Sequence, residues 1–435
     1  MTDAHKDGLY LIAIGWVLFV LLSFVMFTRM PISMIDLRGY YLPALTLVRH
    51  CDPYNAQQVL DLYSKAEPTA KPPKFSRELD VLPCNSPPSI FPFFALLALL
   101  PFAHARVIYF LIEMAGYSVA AALMWQIGSR SAPRLTGALI GILLSGCAWT
   151  AAGGNVCGIV ISFTTIAAWC FLERRTEWLG VFCLAVALDL KPHVCLLILL
   201  AFVVSDAHLR SKAIQSMVLA IAVGVAGAVW VGSVAPLWLS EFWMNLSAPG
   251  APRGFNDPGP TSSGGHGLGM IIDLQSALSL VRDDPHFYNP IALAVTGALL
   301  FCFLLTAMKI RRNPHEAWIA LAVIAPLSML PLYHRQGDAK LILLSVPACA
   351  LLYAEKRLVG KIVAVVTVIE FVTVQEIPWA ALLELIRHLP PSSNPVTGQL
   401  ILAAQLAPIP LILLGSCVFY LWVYWNRTQA KALTD

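Results

Sequence analysis

Residues 9–43 read "LYLIAIGWVLFVLLSFVMFTRMPISMIDLRGYYLP". The first part, Leu9 to Phe27, is a mostly apolar run without a single charge. A helix that crosses the hydrocarbon layer needs about 20 such residues, because that layer is about 30 Å thick and a helix rises about 1.5 Å per residue. The run then stops, and within a few residues the chain places Asp36, Arg38, Tyr40 and Tyr41. The first part speaks to fold class and the second to function.

The whole chain repeats the first message. Its 435 residues are 58% hydrophobic and only 12% charged, with a mean hydropathy of +0.72. A soluble domain carries about 25% charged residues, so an ordinary soluble domain is excluded. Backbone groups in lipid must be satisfied internally, by helices or by a closed barrel. The apolar runs lack the period-two alternation of barrel strands. The expected class is therefore an all-α polytopic membrane protein. A net charge of +4 gives no sign of a nucleic acid partner. The first run is too long for a signal-peptide core and no small-residue cleavage site follows, so it reads as a retained span.

Apolar segments fall at 9–29, 104–127, 135–151, 155–172, 177–190, 192–206, 213–235, 289–309, 316–333, 339–354, 360–379 and 398–425, which predicts about twelve transmembrane helices. A further segment, 88–101, carries Pro88, Pro92 and Pro101 and is too short to cross. It is expected to be an interfacial or re-entrant helix. With the N-terminus cytoplasmic, the inside connections carry Arg130 and Arg134, Arg174 and Arg175, Arg210 and Lys212, Lys309, Arg311 and Arg312, then Lys356, Arg357 and Lys361. Arg427 and Lys431 follow in the tail. Every short inside loop is then basic, as the positive-inside rule requires. Both termini are expected to be cytoplasmic, in a bacterial inner (plasma) membrane. The expected organisation is one integral-membrane unit over 1–435, with a first extracytoplasmic loop at 30–103 and a second large one at 236–288. The same outer side receives "GGNV" at 153–156, "DLKPH" at 189–193, "YHRQGDAK" at 333–340, and 381–397. Residues 250–269, "GAPRGFNDPGPTSSGGHGLG", are rich in Gly, Pro and Ser and read as a binding loop or lid.

Three polar clusters interrupt the apolar pattern on that side. Asp36 sits just past the first span, where a carboxylate outside bulk water serves as a general base if a hydroxyl comes within about 3 Å. Its bland reading is a helix cap, as Tyr40 and Tyr41 read equally well as interfacial anchors. Lys191 and His193 flank Pro192 between two apolar runs. An ammonium there suits a lipid-borne phosphate, or else snorkels to the surface. His334, Arg335 and Asp338 form the third cluster. Arginine presents a rigid donor fork that fits phosphate oxygens; the plain alternative is a wet turn with an internal Arg–Asp pair. No H-x-x-x-H or D-x-D pattern stands near these positions, so no metal is expected. Glu113, Glu370 and Glu376 fall within or near apolar spans and are expected to make interhelical hydrogen bonds. Ten cysteines form no C-x-x-C pair. Cys51 and Cys84 share the first polar loop, where a disulfide is allowed if the loop is extracytoplasmic.

Taken in order, "IDLRGYYLPA" (35–44), "CDPYN" (51–55), "NSPPSIFPFFALLALLPFA" (85–103), "GGNVCGIVI" (153–161), "ALDLKPHVCLLIL" (187–199) and "YHRQGDAKLILLSVP" (333–347) resemble the motif series of glycosyltransferase family 87 over nearly the whole chain. Ser86 departs from the Tyr that often precedes Pro-Pro in that family, and Asn155 from its Gln; Cys51 and Cys84 are not general family features. The resemblance implies a GT-C-like catalytic domain that takes a sugar from a polyprenyl-phosphate carrier on the non-cytoplasmic face. It implies Asp36 as the catalytic base and Lys191 and His334 near the donor. Arg38, Tyr40, Tyr41, Asn155, His193, Arg335 and Asp338 are the further candidate substrate-binding residues. The expected partners are the bilayer, the lipid-phosphate sugar and an envelope glycolipid or glycan acceptor, with no cofactor beyond the donor itself. The rival class is a secondary transporter or lipid flippase. Such proteins place their sites at the bilayer midplane on broken helices, whereas the polar clusters here collect at one face. A non-catalytic assembly subunit is a third reading.

Overall fold

The computed structural model of the chain describes residues 2–30, 33–66, 84–260, 271–309, 314–376 and 408–432. Among these, every regular element is helical, and one isolated bridge pairs Ile271 with Arg335. Six helices are long and apolar enough to cross a membrane: Asp3–Arg29, Phe102–Gly128, Pro133–Gly153, Ala207–Val234, Pro285–Met308 and Pro408–Arg427. Shorter apolar helices lie at Pro88–Ala98, Cys157–Leu172, Pro192–Val204 and His315–Ser328. The chain is thus a multi-pass membrane protein. The predicted loop 381–397, residues 67–83 of the first loop, 261–269 of the Gly-rich stretch, 377–379 and 398–407 lie outside the described residues.

Burial sorts the helices into layers. On Asp3–Arg29, Leu11, Ile14, Val17 and Leu21 stand exposed, as on a helix that faces hydrocarbon on one side. Cys157–Leu172 is buried nearly all round, from Cys157 to Leu172. It forms the centre of the molecule.

Glycines set the seam between the first helix and Pro133–Ser145. A Cβ on Gly15 would lie 2.3 Å from Gly141 O, one on Gly137 2.3 Å from Gly8 O, and one on Gly141 2.6 Å from Leu11 O. Backbones that meet this closely pack by van der Waals contact, as small-residue interfaces do in membranes. Gly141→Leu is therefore expected to cost about 3 kcal/mol, the upper end of the usual overpacking range, since no flexible side chain can yield. Thermal unfolding of the purified variant in detergent checks this.

Two long connections contain helices the apolar pattern did not reveal. The first holds Ile35–Val48 and Ala56–Ala66; the second holds Trp238–Ser247 and Leu274–Ser279. The short segment that closes the first connection begins as a 3-10 turn, Pro88–Ile90, and continues as Phe91–Ala98. The two connections dock on each other. Tyr54 packs against Phe91, Trp238 and Phe242. Asn245 Nδ2 donates to Tyr54 O at 2.9 Å and to Cys84 O at 3.2 Å. The bridge that the shared loop allowed between Cys51 and Cys84 is not formed. Both thiols are free; Cys84 is buried, while partly exposed Cys51 places its Sγ 3.6 Å from Arg49 O.

A carboxyl pair sits at this junction. A hydrogen bond with Asp52, aided by burial, pushes the Glu241 carboxyl from 4.5 up to about 7. A raised acid is held in its protonated form when docked, so the contact is fully present below 4.5 and is lost as pH rises through about 7. Amide exchange at residues 51–55 and 238–247, corrected for intrinsic rates, is expected to quicken above pH 7. Glu241→Gln should abolish that dependence.

Candidate functional site

Asp36 lies in the first turn of Ile35–Val48. The turn before it is fixed from elsewhere. Met34 is fully buried, adopts a left-handed backbone at φ 60°, and donates its N–H to Ala152 O at 2.8 Å. The opposing turn carries Gly154 at φ 71°, where a Cβ would meet Met34 Sδ at 2.7 Å and Leu37 Cβ at 2.9 Å. Glycine is required there on both counts. The next residue supplies the contact: Asn155 Nδ2 donates to Asp36 Oδ2 at 2.8 Å. Asn155 Oδ1 meanwhile accepts from Cys157 N at 3.0 Å, which locks the amide's orientation at the start of Cys157–Leu172. Burial pushes the Asp36 carboxyl up, and the Asn155 donation and the charges of Arg335 and Lys191 pull against it. The net is a carboxyl above its ordinary 3.8, a stronger base once ionised.

Lys191 stands at the corner between Glu177–Leu190 and Pro192–Val204, where Pro192 occupies the first position of the new helix. Its Nζ donates to Asp338 Oδ1 at 2.5 Å, with side-chain exposures of 15% and 1%. Asp338 Oδ2 accepts from Arg335 N at 3.1 Å and faces His334 Nδ1 at 3.3 Å. The His193 ring lies against His334, centroids 4.9 Å apart. Nε2 of both histidines is buried and unpartnered among the described residues. Burial raises the Asp338 carboxyl, but Lys191 and His334 together hold it well below the usual carboxylate range. Burial lowers the Lys191 ammonium, and Asp338 more than restores it.

The 330s turn reaches the 150s segment that holds Asp36 through Gly337, where a Cβ would lie 3.1 Å from both Cys157 Sγ and Thr150 Oγ1. Three stretches far apart in sequence thus meet in one place. Arg335 is roofed by the second connection. Phe255 lies 4.1 Å under its guanidinium, Asn256 Oδ1 accepts from it at 3.2 Å, and Tyr333 OH accepts from its Nε. Ile272 N donates to His334 O at 2.9 Å, which closes the same seam.

The candidates do not all converge. Tyr40, one helical turn past Asp36, packs on Phe94 and lies in the field of the Asp36 and Asp338 carboxylates. Arg38 instead points to Tyr63 OH at 3.4 Å and lies over the Phe102 ring. Tyr41 OH donates to Leu100 O at 2.6 Å and packs on Phe102. Both belong to the packing of the first connection, not to the cluster. Glu376 accepts from Thr150 at 2.9 Å, the interhelical bond expected of it, and Glu370 lies buried beside Ser416. Glu113 and Glu370 depart from that expectation, because neither oxygen of either carboxyl has a hydrogen-bond partner among the described residues. Sequence reasoning missed Tyr333, Phe255 and Asn256; Tyr333 adjoins His334, and the other two carried no signal beyond lying in a Gly- and Pro-rich stretch.

His193, His334 and Asp338 bring ligand atoms within 4.8 Å of one another, enough in number to hold a divalent ion. The charge pattern opposes it. Lys191 already occupies one Asp338 oxygen, and a second cation would face that ammonium at close range. A lysine, an arginine and two imidazoles with buried, unpartnered Nε2 atoms in one cluster suit an anion with several acceptor oxygens.

A family model described as glycosyltransferase family 87 matches residues 86–332, more than half of the chain. The match includes Asn155, Lys191 and His193; Asp36 precedes it and His334 and Asp338 follow it. No curated protein and no solved structure matches the chain.

Proposed function

The chain belongs to glycosyltransferase family 87, and from that premise we propose that it moves a sugar from a polyprenyl-phosphate donor to a hydroxyl of an envelope glycolipid or glycan on the extracytoplasmic face of the membrane, through a twelve-span topology with both termini inside. The acceptor O–H gives its proton to Asp36. Its oxygen forms the new bond to the anomeric carbon as the bond from that carbon to the phosphate oxygen breaks. The electron pair leaves with the phosphate monoester on its lipid tail. The transition state is oxocarbenium-like, as in glycoside chemistry generally. Lys191, His193 and His334 face the charge that develops on the departing phosphate, the place where preorganised donors lower a barrier most. Arg335, held by Phe255 and Asn256, closes the site toward the second connection. The lipid phosphate is already activated, so this scheme calls on no nucleotide or metal.

One observation carries the reading: a largely enclosed carboxylate fixed by Asn155 lies in the field of a Lys–Asp–His–His cluster whose His334 and Asp338 are fully buried. Reconstitution tests it. Protein in liposomes with radiolabelled polyprenyl-phosphate sugar and extracted envelope lipids should yield a labelled glycoside and free polyprenyl phosphate. Counterflow of a solute without any glycosidic product would favour the transporter reading instead.

A further inference from the structure

A groove opens between exposed apolar side chains, Leu196 and Ile221 among them, behind the Lys191 corner. It measures about 400 Å³ and is walled by Leu196 and Leu199 of Pro192–Val204, by Met217 and Ile221 of Ala207–Val234, and closed at one end by Pro88 and Ser89. Gly224 and Gly227 let that end form, since a Cβ on Gly227 would lie 2.3 Å from Pro88 O. The groove runs from the corner past Leu199, about 12 Å at the rise of a helix. Its walls are apolar except at the corner. There Asp189, 5% exposed, lines the groove beside Ser89, whose hydroxyl donates to Asp189 O at 2.8 Å. Asp189 Oδ2 is buried and has no hydrogen-bond partner among the described residues. Its Oδ1 stands 3.9 Å from where a Gly224 Cβ would be.

The polar end of the groove is therefore a carboxyl, while the neighbouring ammonium of Lys191 turns away to Asp338. That sign decides between lipids. A phosphorylated prenyl lipid would set its anion against Asp189, or would run plain hydrocarbon past it and leave the oxygen orphaned, which is costly in an apolar setting. A neutral lipid with free hydroxyls at headgroup depth satisfies the carboxyl with an O–H donor and fills the groove with its chain. The size suits part of such a lipid, since small-molecule sites run about 300–1,000 Å³. We infer that this groove seats the acceptor, and that the acceptor is a neutral, hydroxyl-bearing membrane lipid drawn from the bilayer. The acceptor role rests on the glycosyl-transfer reading above; the lipid preference of the groove does not.

The test uses the full chain in vesicles and two probes: a monoglycosyl diacylglycerol and a polyprenyl phosphate, each with a diazirine in its chain. The glycosyl lipid should label peptides containing Leu196, Met217 or Ile221, and Gly224→Trp, which fills the groove, should abolish the label. Asp189→Leu should weaken that labelling about tenfold, as loss of a charge-assisted hydrogen bond predicts, with Asp189→Asn in between. In the transfer assay Asp189→Leu should raise KM for the lipid acceptor and leave KM for the donor unchanged. Preferential labelling by polyprenyl phosphate, a rise in donor KM instead, or no labelling by either probe would overturn the inference. Ala220→Trp, on the same wall, guards against misfolding of a single variant. Labelling that persists in a protein showing no transfer would sink the enzymatic reading and leave the groove assignment standing.

Discussion

Asp36→Asn is expected to slow sugar transfer by about 10²- to 10⁴-fold, the usual worth of a positioned general base, while the purified protein keeps its thermal stability. The asparagine fills the same space, and its carbonyl can still accept the 2.8 Å donation from Asn155. Only the proton acceptor is lost. The pH dependence follows from the same contacts. Asp36 works as a base only when ionised, and burial raises its pKa above 3.8. The wild-type rate should fall as pH drops through that raised value. Asn155→Ala removes the hydrogen bond that lowers the pKa, so the acid limb should move to higher pH and the rate at neutral pH should drop. Initial rates in liposomes across pH check both points. Transfer by Asp36→Asn at the wild-type rate would remove Asp36 from the mechanism.

The second large effect separates structure from chemistry at the Lys191–Asp338 pair. Asp338 is buried and Lys191 largely so, and removing one partner leaves the other without compensation. Asp338→Asn should therefore cost about 3–5 kcal/mol of stability, and Lys191→Met a comparable amount. The double variant Lys191→Met with Asp338→Asn leaves no stranded charge, and should regain most of that stability. Transfer should not return with it. Losing the ammonium that faces the leaving phosphate should keep the rate down about 10²- to 10³-fold. Thermal unfolding and transfer rates on all four proteins give the cycle. A double variant that both folds and transfers normally would reduce the pair to a structural tie.

Fold class was legible because burial in hydrocarbon is local and additive. Runs such as 9–29, 104–127 and 213–235 are marked as spans by their composition alone, and each falls on a long helix. The helices Ile35–Val48 and Trp238–Ser247 were not legible. They are short, mixed in polarity, and stabilised by contacts with residues far off in the chain. Arg38 and Tyr41 show the same limit at the site. Once Ile35–Val48 is a helix, Asp36 and Tyr40 share a face and the other two do not, but nothing in the letters announced the helix.

By itself, then, the sequence determined a multi-pass helical membrane protein with polar residues gathered at breaks between apolar runs, and its motif order carried the family. Both rest on short-range properties: transfer free energy summed along a segment, and residue types at fixed spacing. Tertiary structure alone decided that Asn155 holds Asp36, that Lys191 crosses to Asp338, that Phe255 and Asn256 roof Arg335, and that Asp189 opens on a groove. These pairings span roughly 80 to 150 residues of chain in most cases, as from Asp36 to Asn155 or Lys191 to Asp338. They depend on how glycine-lined helices pack, which no local window of sequence encodes.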